Sequence, residues 1–282
     1  MVNIDSPVIL FWFRRDLRLH DNPALFYALQ KNRNVLPVYI FDTNFLSKLE
    51  NIRDPRVNFI FENITKLKSE LEKLGSTLLI RHGETVDVIG QLIDEYRVKK
   101  IYTNHDYEPT AIKQENAVFK LLENNRIDFL TFKDHVIFEK DEVRKTDGNP
   151  FVVYTYYMRQ WKSQFQRKKI EMLDPKPYFG NLVKCDPSPK FEIESIGFER
   201  FTYKFPPNKL HQETIRNYHL QRDIPSIRGT SRIGIHLRYG TVSIREIVEQ
   251  AYKWNEIFLD ELIWREFYQQ ILWHFPYIES KA

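Results

Sequence analysis

Short apolar runs rich in β-branched and aromatic residues alternate with amphipathic stretches through the first half of the chain. Val8 to Phe13, Val35 to Phe41, Thr77 to Ile80, Lys100 to Thr103 and Asp128 to Phe132 read as buried strands. Between them the pattern changes to a helical period. From Val57 to Leu74, the residues Phe61, Ile64, Leu67, Leu71 and Leu74 recur three or four apart, a stripe suited to covering a sheet, and Gly75 stops it. Pro23 and Pro109 each stand where a helix can begin, because the first turn has no use for their missing N–H. Repeated strand-helix-strand order demands parallel pairing with right-handed crossovers. The first half, residues 1–140, is therefore expected to be a doubly wound α/β domain.

After Val136 the grammar changes. Residues 141–209 read as an interdomain linker. Pro175, Pro177, Pro187, Pro189, Pro206 and Pro207 crowd its second half, with little periodicity around them. Helical patterning resumes near Leu210 and runs to the end. Ile263, Phe267 and Ile271 lie four apart, as do Trp264 and Tyr268, so the last helix is apolar on more than one side and calls for packing partners. Residues 210–282 are too few to bury such side chains alone, and are expected to be part of a larger helical domain. The predicted fold class is thus α/β, a Rossmann-like parallel sheet, followed by the beginning of an all-α domain.

Composition narrows the chemistry only a little. The 282 residues carry a formal net charge of +4, so a basic surface for an acidic partner must be local. Cys185 is the only cysteine, which excludes an internal disulfide and a four-cysteine metal site and fits a reducing cytoplasm. The first apolar run ends at Arg14 and Arg15, too short for a signal core or membrane span. Aromatic residues make up 15%, and although most should be core, some are free to stack on flat ligands.

Candidate chemistry lies in a few strings. FWFRRDLRLHDNPAL, residues 11–25, sets Arg14, Arg15, Asp16, Arg18, His20 and Asp21 at the carboxyl edge of the first strand, where doubly wound folds place ligands. A structural salt-bridge cluster explains these residues equally well. RGTSRIGIHLRYGTVSIREIV, residues 228–248, opens with Gly229, Thr230, Ser231 and Arg232, which offer a flexible turn, hydroxyls and a fixed cation to a diphosphate. A helix cap followed by a packed turn would have the same composition. DELIWREFYQQILWHFP, residues 260–276, puts Glu261, Trp264, Arg265 and Tyr268 three and four apart on one helical face. That face presents an acceptor, a large ring, a cation and a phenol; the pair Glu261 and Arg265 could also be an ordinary helix salt bridge. Arg159, Lys162, Arg167, Lys168 and Lys169, interleaved with Tyr154, Tyr156, Tyr157 and Trp161, read first as a solvated helix face and second as a DNA-facing surface.

Taken as whole strings, these three motifs, with NHDYEP at residues 104–109 and NYHLQRDIP at residues 217–225, resemble the DNA photolyase and cryptochrome family. The resemblance implies a light-harvesting antenna chromophore of folate or deazaflavin type on the α/β domain, with Glu108 at the antenna-binding carboxylate position. It implies an FAD site in which Thr230, Ser231, Arg232, Ile233 and Gly234 form the flavin-phosphate loop, and Tyr218, Phe258, Glu261 and Arg265 contribute. Gly234 stands where many members have Ser, Ile233 where they have Leu, and Ile235 where they have Pro. Arg222 matches a contact to DNA phosphate, Glu261 a hydrogen bond to a flipped pyrimidine dimer, Trp264 a stacking partner of that dimer, and Arg265 a residue on the flavin and DNA side. The implied activity is light-driven repair of cyclobutane pyrimidine dimers in UV-damaged DNA, by an electron from reduced FAD, in a cytoplasmic monomer. A blue-light sensor of cryptochrome type would share these motifs, and a truncated, inactive chain would keep them without the later helices of the family.

Overall fold

The structure, a computed structural model, describes residues 6–280. The chain forms two compact units. The first is built from residues up to His105, Gln114–Phe132 and Leu173–Phe205, and the second from Asp106–Lys113, Lys133–Met172 and the chain from Pro206 onward.

In the first unit, strands β1 (Val8–Phe13), β2 (Val35–Asp42), β3 (Leu79–Gly83), β4 (Val98–Asn104) and β5 (Asp128–Phe132) form one parallel sheet in the order β3-β2-β1-β4-β5. Helices α1 (Pro23–Lys31), α2 (Thr43–Leu46), α3 (Pro55–Lys73), α4 (Thr85–Glu95) and α5 (Pro109–Asn124) make the connections. This is the doubly wound order expected of alternating strands and amphipathic helices. β1 is central and buried along its whole length, which is why it is apolar at every position rather than at alternate ones. The helix starts are chemically specified: Asn22, Asp54 and Glu84 each accept a backbone N–H of the first turn of α1, α3 and α4, and Pro23 and Pro55 follow the first two. Gly75, at φ +75, carries the chain out of α3 in a conformation that favours glycine.

Two sequence expectations shift. The third strand starts at Leu79 rather than Thr77 and runs on through polar Arg81 and His82. The pairing with β2 begins at Leu79, opposite Val38, while the Thr77 hydroxyl lies 2.9 Å from that of Ser188; β3 tolerates polar residues because it is an end strand of the sheet. The span 141–209, read as one linker, is divided. Its later part lies along the first unit: Val183 N–H donates to the Val35 carbonyl, Phe191 stacks on Phe41 at 5.2 Å, and Phe205 meets Phe59 edge-on at 5.0 Å. Prolines leave few N–H groups to satisfy, so such a strip can lie on a surface with only two short 3-10 turns, Lys176–Asn181 and Ile193–Ile196.

The earlier part of that span contributes a core element to the second unit. Helix α6 (Tyr154–Arg167) buries Tyr157 and Trp161, and joins α7 (Gln212–Arg216), α8 (Tyr218–Gln221), α9 (Gly234–Tyr239), α10 (Ile244–Trp254) and α11 (Glu256–His274). The solvated reading of α6 holds for Arg159, Arg167 and Tyr156, which are exposed, but not for Tyr157 and Trp161, and Lys162 is held by Glu256 at 2.7 Å and Asp260 at 2.6 Å. At the centre lies Glu266, 3% exposed, a carboxylate on the apolar face of α11. It accepts from Ile137 N–H (2.6 Å), Phe138 N–H (3.1 Å), the Tyr157 hydroxyl (3.2 Å) and Trp161 Nε1 (2.6 Å). A second buried pair, Arg245 with Asp134 at 2.7 Å, ties α10 to the chain just before that segment. Among the described residues no helix is long and apolar enough to cross a membrane.

Burial raises the Glu266 pKa from 4.5 to about 7, against the pull of its four donors, which favour the ionised form. The folded state therefore holds a proton that the unfolded chain has released between those two values. This contribution to stability is full below pH 4.5 and is lost as pH rises through about 7, a swing of roughly 3 kcal/mol. Urea unfolding of the wild type and of Glu266→Gln at several pH values should show this slope only in the wild type. Glu266→Ala, which strands four buried donors, should cost at least about 3 kcal/mol at any of those pH values. Glu256→Ala on the same helix, whose side chain is 75% exposed, should cost under about 1 kcal/mol.

Candidate functional site

Helix α11 begins at Asn255, whose side chain accepts the Phe258 N–H at 3.0 Å. The 3.6-residue period then turns Leu262, Ile263, Glu266 and Phe267 inward and leaves Glu261, Trp264 and Tyr268 toward the rim. The segment from Tyr218 to Arg222 lies against this rim. Its Arg222 guanidinium pairs with the Glu261 carboxylate. Tyr218 meets buried Phe258 edge-on at 5.1 Å, and the Arg222 guanidinium lies 5.7 Å from the centre of the Tyr218 ring.

The same short segment backs the turn that follows it. A Cβ at Gly229 would lie 2.5 Å from the carbonyl oxygen of Gln221, so two backbones approach here as only glycine allows. Three of the sequence motifs thus converge on residues 218–222. Beyond Gly229, Thr230 and Arg232 are exposed, and neither makes a hydrogen bond or ion pair among the described residues. Arg232 holds φ +55, and the Ser231 hydroxyl accepts the Ile233 N–H at 3.4 Å. Ile233 is buried in the core and pins the turn from below, while a side chain at Gly234 would meet open space. An unpaired hydroxyl and guanidinium on a turn fixed at both ends form a donor set that fits a diphosphate.

Other predicted residues are distributed differently. Trp264 lies under Tyr154, with ring centres 3.5 Å apart and planes within 9°, and Tyr268 approaches it at 5.5 Å. Arg265 turns away from this aromatic group and donates to the His135 carbonyl at 2.7 Å and the Leu237 carbonyl at 3.2 Å, and both of these bonds fix backbone. Glu108 precedes α5 and pairs with Arg238 at 3.2 Å. In the first unit, the loop after β1 folds into itself: Asn104 donates to Asp16 at 2.6 Å and to Asn22 at 2.8 Å, and Asp16, Arg18, Asp21 and Asn22 are all buried. Of the two readings of that string, the internal network accounts for these four side chains. Arg14 reaches Glu115 at 2.7 Å and lies 4.8 Å over Trp12.

Sequence reasoning named Tyr154 only among the rings of a second, DNA-facing reading of α6, without its partner Trp264, and passed over Glu266. Glu266 does leave a trace, being a lone carboxylate in step with Leu259, Leu262, Ile263 and Phe267 on the apolar stripe. Tyr154 leaves none, since its role depends on a helix more than a hundred residues upstream of its partner.

Comparison with known proteins gives a consistent answer. The model of the family described as DNA photolyase matches residues 9–177, more than half of the chain. The deoxyribodipyrimidine photo-lyase of Halobacterium salinarum is 28% identical over 296 residues, covering 94% of this chain and 61% of that protein. The archaeal photolyase from Sulfolobus tokodaii, solved with two FAD molecules, aligns with a TM-score of 0.73 at 26% identity, over 96% of this chain and 61% of that one. A bacterial class III photolyase from Agrobacterium tumefaciens shares the fold, with a TM-score of 0.79 at 21% identity over 99% of this chain and 62% of that one. The chain thus spans about 61% of the length of its curated relatives.

The turn gives a paired test. Gly229→Ala should destabilise by about 1–3 kcal/mol, because the new methyl group must push backbone rather than a side chain. Gly234→Ala should be neutral or stabilising by up to about 1 kcal/mol, since its methyl meets open space at a helix start. Urea midpoints of the two variants check both.

Proposed function

Since this chain belongs to the DNA photolyase family, we propose that it serves light-driven repair of cyclobutane pyrimidine dimers in UV-damaged DNA, with FAD as its cofactor. The observation that carries this reading is the convergence on residues 218–222: the Gly229 turn, Phe258 and Glu261 all pack against that one segment. Thr230, Ser231 and Arg232 would hold the diphosphate, with Tyr218 and Phe258 toward the ring end. Bound reduced FAD would supply one electron to the dimer on illumination and take it back once the cyclobutane bonds have parted.

The chain's own residues bind and orient the lesion. A dimer is already poorly paired and stacked, so drawing it out of a duplex costs less than flipping an intact base. The Glu261 carboxylate can accept a pyrimidine N–H while keeping Arg222, because an ionised carboxylate has about four acceptor positions. Arg222 keeps donors beyond its bond to Glu261, which suits a phosphate contact. Trp264 offers ring area for stacking. Arg265 acts as a positioning residue: by holding the Leu237 carbonyl it fixes the end of α9, and with it the turn that α9 follows. An antenna chromophore of folate or deazaflavin type, with Glu108 as its carboxylate, belongs to the same reading.

The chain purified from an expressing culture should show flavin absorption, and should restore a thymine-dimer oligonucleotide in light but not in darkness. Flavin absorption without repair would turn the reading toward a light sensor, and a folded chain with neither would reject it. Trp264→Ala should weaken binding of the dimer oligonucleotide by tenfold or more while altering undamaged DNA far less, in line with about 1–3 kcal/mol per stacked base. Equal losses on both substrates would remove Trp264 from the lesion site.

A further inference from the structure

We propose that Tyr154 is a placeholder ring: it covers the face of Trp264 that a flat pyrimidine takes, leaves when the pyrimidine stacks, and so sets affinity and discrimination at this position. The inference rests on the reading of Trp264 given above, and concerns a residue that none of the motifs contains.

Three observations carry it. The first is the geometry of the pair. Tyr154 and Trp264 lie centre over centre at 3.5 Å with planes 9° apart. Aromatic side chains ordinarily avoid a centred sandwich, because like quadrupole faces repel; they prefer an offset or an edge-on contact. Other rings in this cluster do so: Phe267 meets Tyr154 at 71° and Trp264 at 78°. A ring held in the least favourable mutual orientation is one that a polar heterocycle, with its uneven charge, can replace at a gain.

The second is how Tyr154 is held. Its hydroxyl donates to the Asp260 carbonyl at 2.9 Å, a single tether to the first turns of α11. Tyr154 is the first residue of α6, the N-cap residue Val153 makes no side-chain cap bond, and Val152 and Val153 are 57% and 50% exposed. An uncapped first turn behind exposed residues is the part of a helix that opens most cheaply. Tyr157 and Trp161, one and two turns further on, are fixed on Glu266, so the first turn can yield while the rest of α6 stays.

The third is the surround. Trp264 is only partly buried, and Tyr268 beside it is 58% exposed. Glu261 lies on the same helix one turn earlier and holds Arg222 from the neighbouring segment, so an acceptor and a cation stand near the Trp264 ring.

The test measures binding of two single-stranded oligonucleotides, one with a thymine dimer and one undamaged, to wild type, Tyr154→Ala and Tyr154→Phe. Removing the competing ring should tighten dimer binding by about tenfold in Tyr154→Ala. Losing only the tether should tighten it by about twofold to threefold in Tyr154→Phe, a change too conservative to threaten folding. Acrylamide quenching attributable to Trp264, taken as the difference from Trp264→Phe backgrounds, should rise in Tyr154→Ala without any DNA. Weaker or unchanged dimer binding in both variants would overturn the proposal, since Tyr154 would then be a wall of the site or irrelevant to it. Unchanged quenching in Tyr154→Ala would overturn it as well, because the ring would not be covering Trp264. If no protein, wild type included, prefers the dimer, the repair reading fails separately. The undamaged oligonucleotide, whose bases are also flat, then decides: tighter binding by Tyr154→Ala supports the placeholder, and no change rejects it.

Discussion

The helical unit closes around one carboxylate. Glu266, carried on α11, draws donors from both α6 and the 137–138 segment, and each of these donors would otherwise be buried without a partner. Burying a carboxylate is costly, and this one is tolerated because backbone, indole and phenol donors converge on it from separate parts of the chain. The arrangement is unforgiving, which is what gives it structural value. A slip of α11 by one residue would carry Glu266 off the donors and bring Arg265 or Phe267, neither of which can accept their hydrogens, in its place. The register of α11 is therefore fixed by polar chemistry inside an apolar core, and the register of α11 decides where Glu261 and Trp264 stand.

From that fixed helix the site follows outward. Glu261 holds Arg222, Arg222 belongs to the segment on which Tyr218 and Gln221 sit, and Gln221 is the backbone against which Gly229 closes the turn. Each link is short and of a different kind: an ion pair, an edge-on ring contact, then a backbone contact without a Cβ. Thr230 and Arg232 are left exposed at the end of the chain of contacts because Ile233 and Gly229 carry the anchoring. The exposed donors and the residues that fix the turn are therefore separate, which would let the loop present donors without ordering them from scratch on ligand entry.

Much of this was legible in the sequence, and what was not has physical reasons. The sheet was readable because a doubly wound domain writes its topology in local patterns: apolar runs for buried strands, a 3.6 period for the covering helices, and Pro23 and Pro109 at helix starts. The Gly229 turn and the α11 face stood out as strings, since their residues are consecutive or one turn apart. The strip from Leu173 to Phe205 was not, because prolines and loop composition describe only the absence of regular structure; that it lies on the sheet unit depends on Val35, Phe41 and Phe59, far away in sequence. Helix α6 was hidden for a related cause. Its basic residues dominate the reading of the string, while the two rings that make it core, Tyr157 and Trp161, show their purpose only once Glu266 is opposite them.

Arg265 shows how far a motif can be right about place and still say little about contacts. It lies on the helix where the string put it, one residue from Trp264, yet a helix turns 100° per residue and its guanidinium ends among backbone carbonyls rather than beside the ring. Those carbonyls belong to His135 and Leu237, and Leu237 lies in the helix that follows the Gly229 turn. An arginine fork is well suited to that task, since its rigid donors can bind two carbonyls from different segments at once. The same residue type that would grip a phosphate in one setting here clamps the helix behind the phosphate-type turn. Adjacent residues of one motif thus divide the work, with Trp264 and Glu261 facing outward and Arg265 holding the frame against which they act.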